Sequence, residues 1–267
     1  MSERILSFEI DKYIVAAAEE VKKSVKWIES VGVELEGGVT ESAVRFVENK
    51  LAMLDLDYRF EWGFDGSVNV PKPPFVRDRW CSDAELRFWI EMNRIEVLFD
   101  VVDTLWKLGF RQNSTCGNHV HLKFINNLQT LSLIFNEEFV KDFERRYRIY
   151  ARARGEKYEH RINNRYCAFY EFHSFPAALY YYCVSRYHAV NYKSVDENET
   201  LEIRILPYAE DAIEYIDNLV WLLKTVDSIV DKIIKRVEKT KRVATVKIGF
   251  PKMKIPKEEE IIEEVIV

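Results

Sequence analysis

The chain has 267 residues, 48% of them hydrophobic and 31% charged, which is enough to bury the core of one large domain and excludes a disordered chain. Its formal net charge of -5 argues against non-specific nucleic-acid binding, while leaving room for a local basic site that takes an anion. No run reaches the roughly 20 uncharged apolar residues of a membrane span, the charged start of the chain is unlike a secretory leader, and four scattered cysteines (Cys81, Cys116, Cys167, Cys183) form no CxxC pair. The expectation is a cytoplasmic protein with no membrane or nucleic-acid partner.

In chain order, Ile14, Ala17, Val21, Val25 and Ile28 recur at spacings of three and four and predict a helix over 11–29. A short strand over 31–36 is ended by Gly37-Gly38, and a helix over 40–54 follows with Thr40 as its N-cap. Strands at 58–64 and 67–70 flank an Asp65-Gly66 turn, and Pro71, Pro73 and Pro74 mark a loop. A strand over 83–88, a helix over 91–108 capped by Gly109, and a strand over 119–125 come next. Residues 126–154 are mostly helical with a basic end, and 161–182 are aromatic and fit no single pattern. A hairpin pairs 187–192 with 200–206, a long helix spans 212–237, and a last strand is expected over 244–248. Together these predict an α+β fold, one domain over residues 1–250 built on an antiparallel sheet with helices on one face, and a charged tail over 251–267.

Side chains two apart on a strand share a face. Glu34 and Glu36 therefore oppose Val33 and Leu35, and Glu85 and Arg87 oppose Leu86. In the same way His119 and His121 oppose Val120 and Leu122, and Glu202 and Arg204 oppose Leu201, Ile203 and Ile205. Each strand has one ordinary core face and one face of Glu, His or Arg. A single ExE or ExR strand is usually a solvated face, and a single HxH is more often structural or a zinc pair. Four such strands in one chain point instead to hard divalent cations held by carboxylates, with arginines that clamp phosphate or carboxylate. That combination suits phosphoryl transfer. There is no Walker P-loop and no GxGxxG, so a nucleotide would lie on the sheet surface.

The order of these motifs is recognisable. Gly-Val-Glu34-Leu-Glu36, Asp65-Gly-Ser67, Glu85, Cys116-Gly-Asn-His119-Val-His121, Asn164-Arg165-Tyr166, Arg186-Tyr-His-Ala-Val-Asn191 and Thr200-Leu-Glu202-Ile-Arg204 together resemble the amidoligase family of the carboxylate–amine ligases. The motifs cover about two-thirds of the chain. That family is similar in its core to glutamine synthetase and glutamate–cysteine ligase. The resemblance implies a sheet that binds ATP with Mg2+ or Mn2+. It implies metal ligands Glu34, Glu36, Glu85, His119 and Glu202, and nucleotide contacts from Glu34, Glu36, Ser67 and Arg204. Catalytic roles fall to Arg204, Arg186 and Glu202, with Arg204 and Arg186 on phosphate or the activated carboxylate. A small-molecule or peptide carboxylate would become an acyl phosphate and be joined to an amine. Glu91 is the alternative to Glu85, His121 is either a ligand or a packing residue, and Asp65-Gly66-Ser67 is either a bare turn or a substrate contact. Cys116 is expected to be a small buried residue rather than a nucleophile.

Two other classes remain in view. One is a zinc-dependent hydrolase using His119, His121 and a glutamate, which would need no nucleotide. The other is a non-catalytic nucleotide-binding module. The identity of the substrates and any assembly into an oligomer are left open by the sequence.

Overall fold

The computed structural model describes residues 2–164, 166, 167, 169 and 187–247. The tail over 251–267, the end of the expected domain at 250, Arg165 and Arg186 lie outside the described residues. Within them the fold is α+β: a six-stranded antiparallel sheet in the order β2-β3-β1-β4-β6-β5, with helices packed against it.

Helix α1 (Ser2–Ser24) stops before the predicted end, and β1 runs Ile28–Thr40. The backbone N–H groups of Lys26 and Trp27 donate to Asp227 rather than back into the helix, which turns the chain into the sheet. Gly37-Gly38 does not end β1. The rings of Phe110 and Trp80 fill the space that side chains would occupy there, so the strand continues as a narrow track between them. Thr40 caps α2 (Glu41–Ala52) as expected, its hydroxyl accepting from the Ala43 N–H at 3.2 Å.

Strand β2 is Tyr58–Phe64 and β3 is Trp80–Glu91, longer than predicted at both ends. The expected strand at 67–70 is a loop. Val68 and Val70 nevertheless bury beside Cys116, Trp80 and Tyr208 in a small second cluster. A 3-10 turn (Met92–Arg94) leads into α3 (Ile95–Lys107), and Gly109 follows it at φ +96°, a conformation that costs other residues.

Strand β4 is Gly117–Phe124. Helices α4 (Asn127–Ile134), α5 (Glu137–Arg154) and α6 (Glu156–Ile162) follow. The predicted hairpin is real in its pairing, but its connection is helical: β5 is Val190–Asn191, α7 is Lys193–Asn198 and β6 is Leu201–Pro207. Helix α8 (Ala212–Lys247) absorbs residues 244–247, where a strand was expected. Among the described residues no helix is long and apolar enough to cross a membrane.

The apolar faces of the strands share one core with the helices. Val31, Val33 and Leu35 of β1, Leu86, Phe88 and Ile90 of β3, and Val120, Leu122 and Phe124 of β4 are all buried. They join Leu98, Phe99, Val102 and Leu105 of α3 and Leu219, Leu222, Val226 and Ile229 of α8 in a continuous cluster. Each such side chain stabilises the fold by about 1.5–3 kcal/mol on burial. With one face of the sheet committed to this core, register alone decides what meets on the other.

Candidate functional site

The four strands that carry paired polar residues are consecutive in the sheet: β3, β1, β4 and β6. The β1–β3 register sets Glu34 against Arg87 and Glu36 against Glu85, and the β1–β4 register sets Glu34 against His119 and Gly32 against His121. On the far side, His121 meets Glu202, which in turn meets Asn191 of β5. The charged residues of four separate motifs thus lie on one surface.

The β4–β6 ladder is broken at His119. Asn118 pairs with Leu206 and Val120 with Ile203, so two residues of β6, Arg204 and Ile205, stand opposite the single His119. Such a bulge re-aims side chains and frees ladder carbonyls. Arg161 of α6 takes two of them, donating from Nη2 to the Arg204 carbonyl at 2.7 Å and from Nε to the Ile205 carbonyl at 3.4 Å.

His119 lies at the centre and is only 6% exposed. Its Nδ1 is 2.9 Å from Glu34 Oε2 and 3.7 Å from Glu202 Oε1, and its Nε2 is 3.5 Å from Glu36 Oε1. The other Glu34 oxygen, Oε1, is 3.3 Å from His121 Nε2, without the alignment of a hydrogen bond. Glu36 Oε2 accepts the Gly117 N–H at 2.6 Å. Glu202 accepts from Arg204 Nη1 at 2.5 Å and, on its other oxygen, from the Asn191 side chain. Glu85 is held by Arg87, whose Nη2 contacts both its oxygens at 3.1 Å. On the rear side of His121, Nδ1 faces the hydroxyls of Thr200 at 3.0 Å and Ser194 at 3.2 Å.

Charge follows from these contacts. Burial pushes the Glu34 carboxyl up, but the hydrogen bond to His119, the facing His121 ring and the positive charge of both outweigh it and hold the group well below the usual carboxylate range. Burial pushes His121 down, and Glu34 together with the charge on Glu202 more than reverses that, leaving it above an ordinary histidine. Burial and the nearby negative charge of Glu34 raise Glu85 against the pull of Arg87. The four carboxylates outnumber the two guanidiniums paired to them.

One group of side chains could hold an ion. Glu34, His119 and Glu202 each offer a donor atom, and these atoms lie within 4.8 Å of one another. Ligands around a magnesium-sized ion stand up to about 4.2 Å apart, twice the usual bond length. A small side-chain shift therefore brings the three to binding distance. Carboxylates with a single imidazole form a hard, oxygen-rich set that suits Mg2+ or Mn2+. Of the five expected metal ligands, Glu36 adjoins this triad through His119, and Glu85 adjoins Glu36 but is engaged by Arg87. Glu91, the alternative to Glu85, pairs with Ser30 at the other end of the strand.

Ser67 is not brought into the cluster. It lies in the loop after the edge strand β2, where its hydroxyl and N–H both contact Asp65 Oδ1. Among the described residues it makes no hydrogen bond to the glutamates or histidines. Cys116 is buried, and that burial pushes its thiol up to about 11, which leaves it a poor nucleophile. Arg161 and Asn191 belong to the site and were not singled out as site residues. Asn191 has a legible signal, since a hairpin partner of the Leu-Glu-Ile-Arg strand must lie beside it. Arg161 sits in no strand pattern and had none.

Comparison with protein-family models, with curated proteins and with solved structures finds no match to this chain.

Proposed function

We propose that this protein is an ATP- and Mg2+-dependent carboxylate–amine ligase. The observation that carries the proposal is the Glu34–His119–Glu202 triad, set on one face of an antiparallel sheet between the pairs Glu85–Arg87 and Glu202–Arg204. The same reading takes the sheet as a catalytic core like that of glutamine synthetase and glutamate–cysteine ligase.

The reaction would run in two steps. An oxygen of the substrate carboxylate attacks the γ-phosphorus, the bond to the bridging oxygen breaks, and ADP leaves. The amine then attacks the acyl carbon of the resulting acyl phosphate, the carbon–oxygen bond breaks, phosphate leaves, and the nitrogen gives up a proton. Magnesium, when bound, would offset the charge of the triphosphate. Glu34, His119 and Glu202 are the residues to hold it, with Glu36 beside them. Arg204 suits a phosphate or carboxylate clamp: its Nη1 holds Glu202, while its buried Nε has no hydrogen-bond partner among the described residues.

The zinc-hydrolase alternative is less well supported. It calls on His119 and His121 together, yet the donor atoms that converge come from Glu34, His119 and Glu202.

The test is calorimetric titration of ATP with and without Mg2+, on the wild type and on Glu34→Gln. Mg2+-dependent binding that the substitution abolishes is the expected result. Phosphate release on adding carboxylate and amine pairs would then separate a ligase from a non-catalytic nucleotide-binding module. If millimolar ATP fails to bind in either metal state, the proposal falls and zinc titration becomes the next experiment.

A further inference from the structure

Strand β2 (Tyr58–Phe64) is the outer strand on one side of the sheet, and among the described residues no strand lies beyond it. Its register with β3 is unbroken. Just past its end the Asp65 N–H donates to the Asp83 carbonyl at 2.8 Å, which continues that register by one pair. In an antiparallel ladder, a residue bonded to the one opposite sends both its N–H and its carbonyl that way, and its neighbours send theirs the other way. Parity carried back from Asp65 therefore turns Gly63, Glu61 and Arg59 toward β3. The N–H and carbonyl groups of Tyr58, Phe60 and Trp62 point outward, away from β3.

Such an edge is a template for another strand unless lysine, proline, a bulge or a covering element blunts it. Strand β2 has no lysine, no proline and no bulge. Its charges are Arg59 and Glu61, of opposite sign and two residues apart, with side chains 75% and 47% exposed. The other face of the strand is aromatic: Tyr58, Phe60 and Trp62 are half-buried and Phe64 is 65% exposed.

We propose that β2 pairs antiparallel with β2 of a second copy of this chain, about a two-fold axis at Phe60. The outward groups of Phe60 then bond to those of Phe60 in the second copy, and the outward groups of Trp62 to those of Tyr58. Arg59 of each copy stands opposite Glu61 of the other. These two pairs carry no backbone bonds between them, the positions at which facing side chains come closest, and opposite charges there stabilise while like charges repel. Within one chain Arg59 donates to Glu61 at 2.8 Å, an exposed contact that solvent screens, and pairing adds the same contact across the axis. Moving the axis to Arg59 or to Glu61 sets like charges opposite each other. Moving it to Trp62 leaves Glu61 opposite Gly63. Only the axis at Phe60 pairs both charges of the strand. Each residue there meets one of its own parity, so the polar faces of the two copies lie on the same side of one continuous sheet and the aromatic rows meet on the other. None of this depends on what the polar face binds. One short strand is small beside the roughly 1,600 Å2 of a standard interface, which puts the dimer in roughly the micromolar range.

The test is sedimentation equilibrium of the full chain from about one micromolar to about one millimolar, on the wild type, Arg59→Glu and Glu61→Arg. The wild type is expected to pass from monomer to dimer across that range. Each reversal turns two attractive pairs into repulsive ones and should weaken the dimer by about tenfold or more. An equimolar mixture of the two variants should regain it as a mixed dimer, since each chain then meets the opposite sign on the other. Glu61→Arg also faces Arg87 in its own chain, so its thermal transition is followed in parallel. If it does not fold, Arg59→Glu alone decides. A wild type that stays monomeric to millimolar concentration overturns the proposal and leaves the edge to a strand of another protein. A dimer that the reversals do not weaken, or folded variants that weaken it and do not recover on mixing, overturns it as well.

Discussion

Glu34 and His119 face each other across the β1–β4 ladder with Oε2 and Nδ1 2.9 Å apart, and the other oxygen of Glu34 faces His121. One carboxylate thus orients two imidazoles. Its removal does two things: it takes from both buried rings their nearest carboxylate, and it deletes a donor from the candidate triad. Glu34→Gln is expected to lower metal-free stability by about 1–3 kcal/mol, the usual cost of unpairing a buried polar group. In the wild type, Mn2+ should raise the melting temperature by mass action on the folded state. Differential scanning calorimetry of both proteins with and without Mn2+ checks this. A Mn2+-induced rise in Glu34→Gln equal to that of the wild type would remove Glu34 from the ligand set.

The two histidines should behave differently. His119 has carboxylates at both ring nitrogens, whereas His121 Nδ1 is turned to Thr200 and Ser194. His119→Ala is expected to abolish metal binding. His121→Asn should weaken it by about 10–100-fold, the range for residues that orient ligands rather than serve as them. Parallel Mn2+ and Zn2+ titrations of the two variants read this out. Equal losses in both, with Zn2+ preferred over Mn2+, would favour the hydrolase alternative.

The paired polar residues were legible because strand parity is local: Glu34-Leu-Glu36 and His119-Val-His121 each reveal their two faces within a few residues. Their meeting was not legible, because the register that sets Glu34 opposite His119 joins segments far apart in the chain. The same limit explains Gly37-Gly38. As a local signal it ends a strand, yet Phe110 and Trp80 arrive from elsewhere and keep β1 going. Val68 and Val70 show the reverse case. Their alternation is real and both are buried, but the segment packs beside Cys116 instead of forming a strand. Arg161 could not be found by parity at all, since a helix delivers it to carbonyls that only the bulge in β6 sets free.

Asp142 joins α5 to α8 by charge. Its buried carboxylate accepts from Arg145 and Arg146 on its own helix and from Lys232 of α8 at 3.2 Å. Burial raises its pKa, but the three cationic hydrogen bonds outweigh that and bring it from 3.8 down to about 2. A depressed carboxylate stabilises the fold fully above its unfolded pKa, and the contribution is lost as pH falls through the folded value. The window therefore runs from about pH 4 down to about pH 2. With the solvent-screened arginines discounted, the loss is about 1 kcal/mol. Urea unfolding at about pH 6 and about pH 3 should show the wild type losing that much more than Asp142→Asn. Identical pH dependence in the two proteins would contradict the assignment.

Asp227 of α8 accepts the N–H groups of Lys26 at 2.8 Å and Trp27 at 2.5 Å, and Asp231, one turn on, takes the Trp27 indole N–H at 3.2 Å. These bonds stand where α1 would otherwise have continued, so Asp227 sets where β1 begins. Asp227→Ala leaves two part-buried donors without an acceptor and should destabilise the fold by about 1–3 kcal/mol. Asp227→Asn keeps an acceptor oxygen and should recover about half of that loss. The register that aligns Glu34 with His119 is held separately, by the β1–β3 and β1–β4 ladders. Asp227→Ala is therefore expected to shift the urea midpoint while leaving Mn2+ affinity at the triad within about twofold of the wild type. A large fall in Mn2+ affinity would mean that the entry to β1, and not its ladders, fixes the position of Glu34.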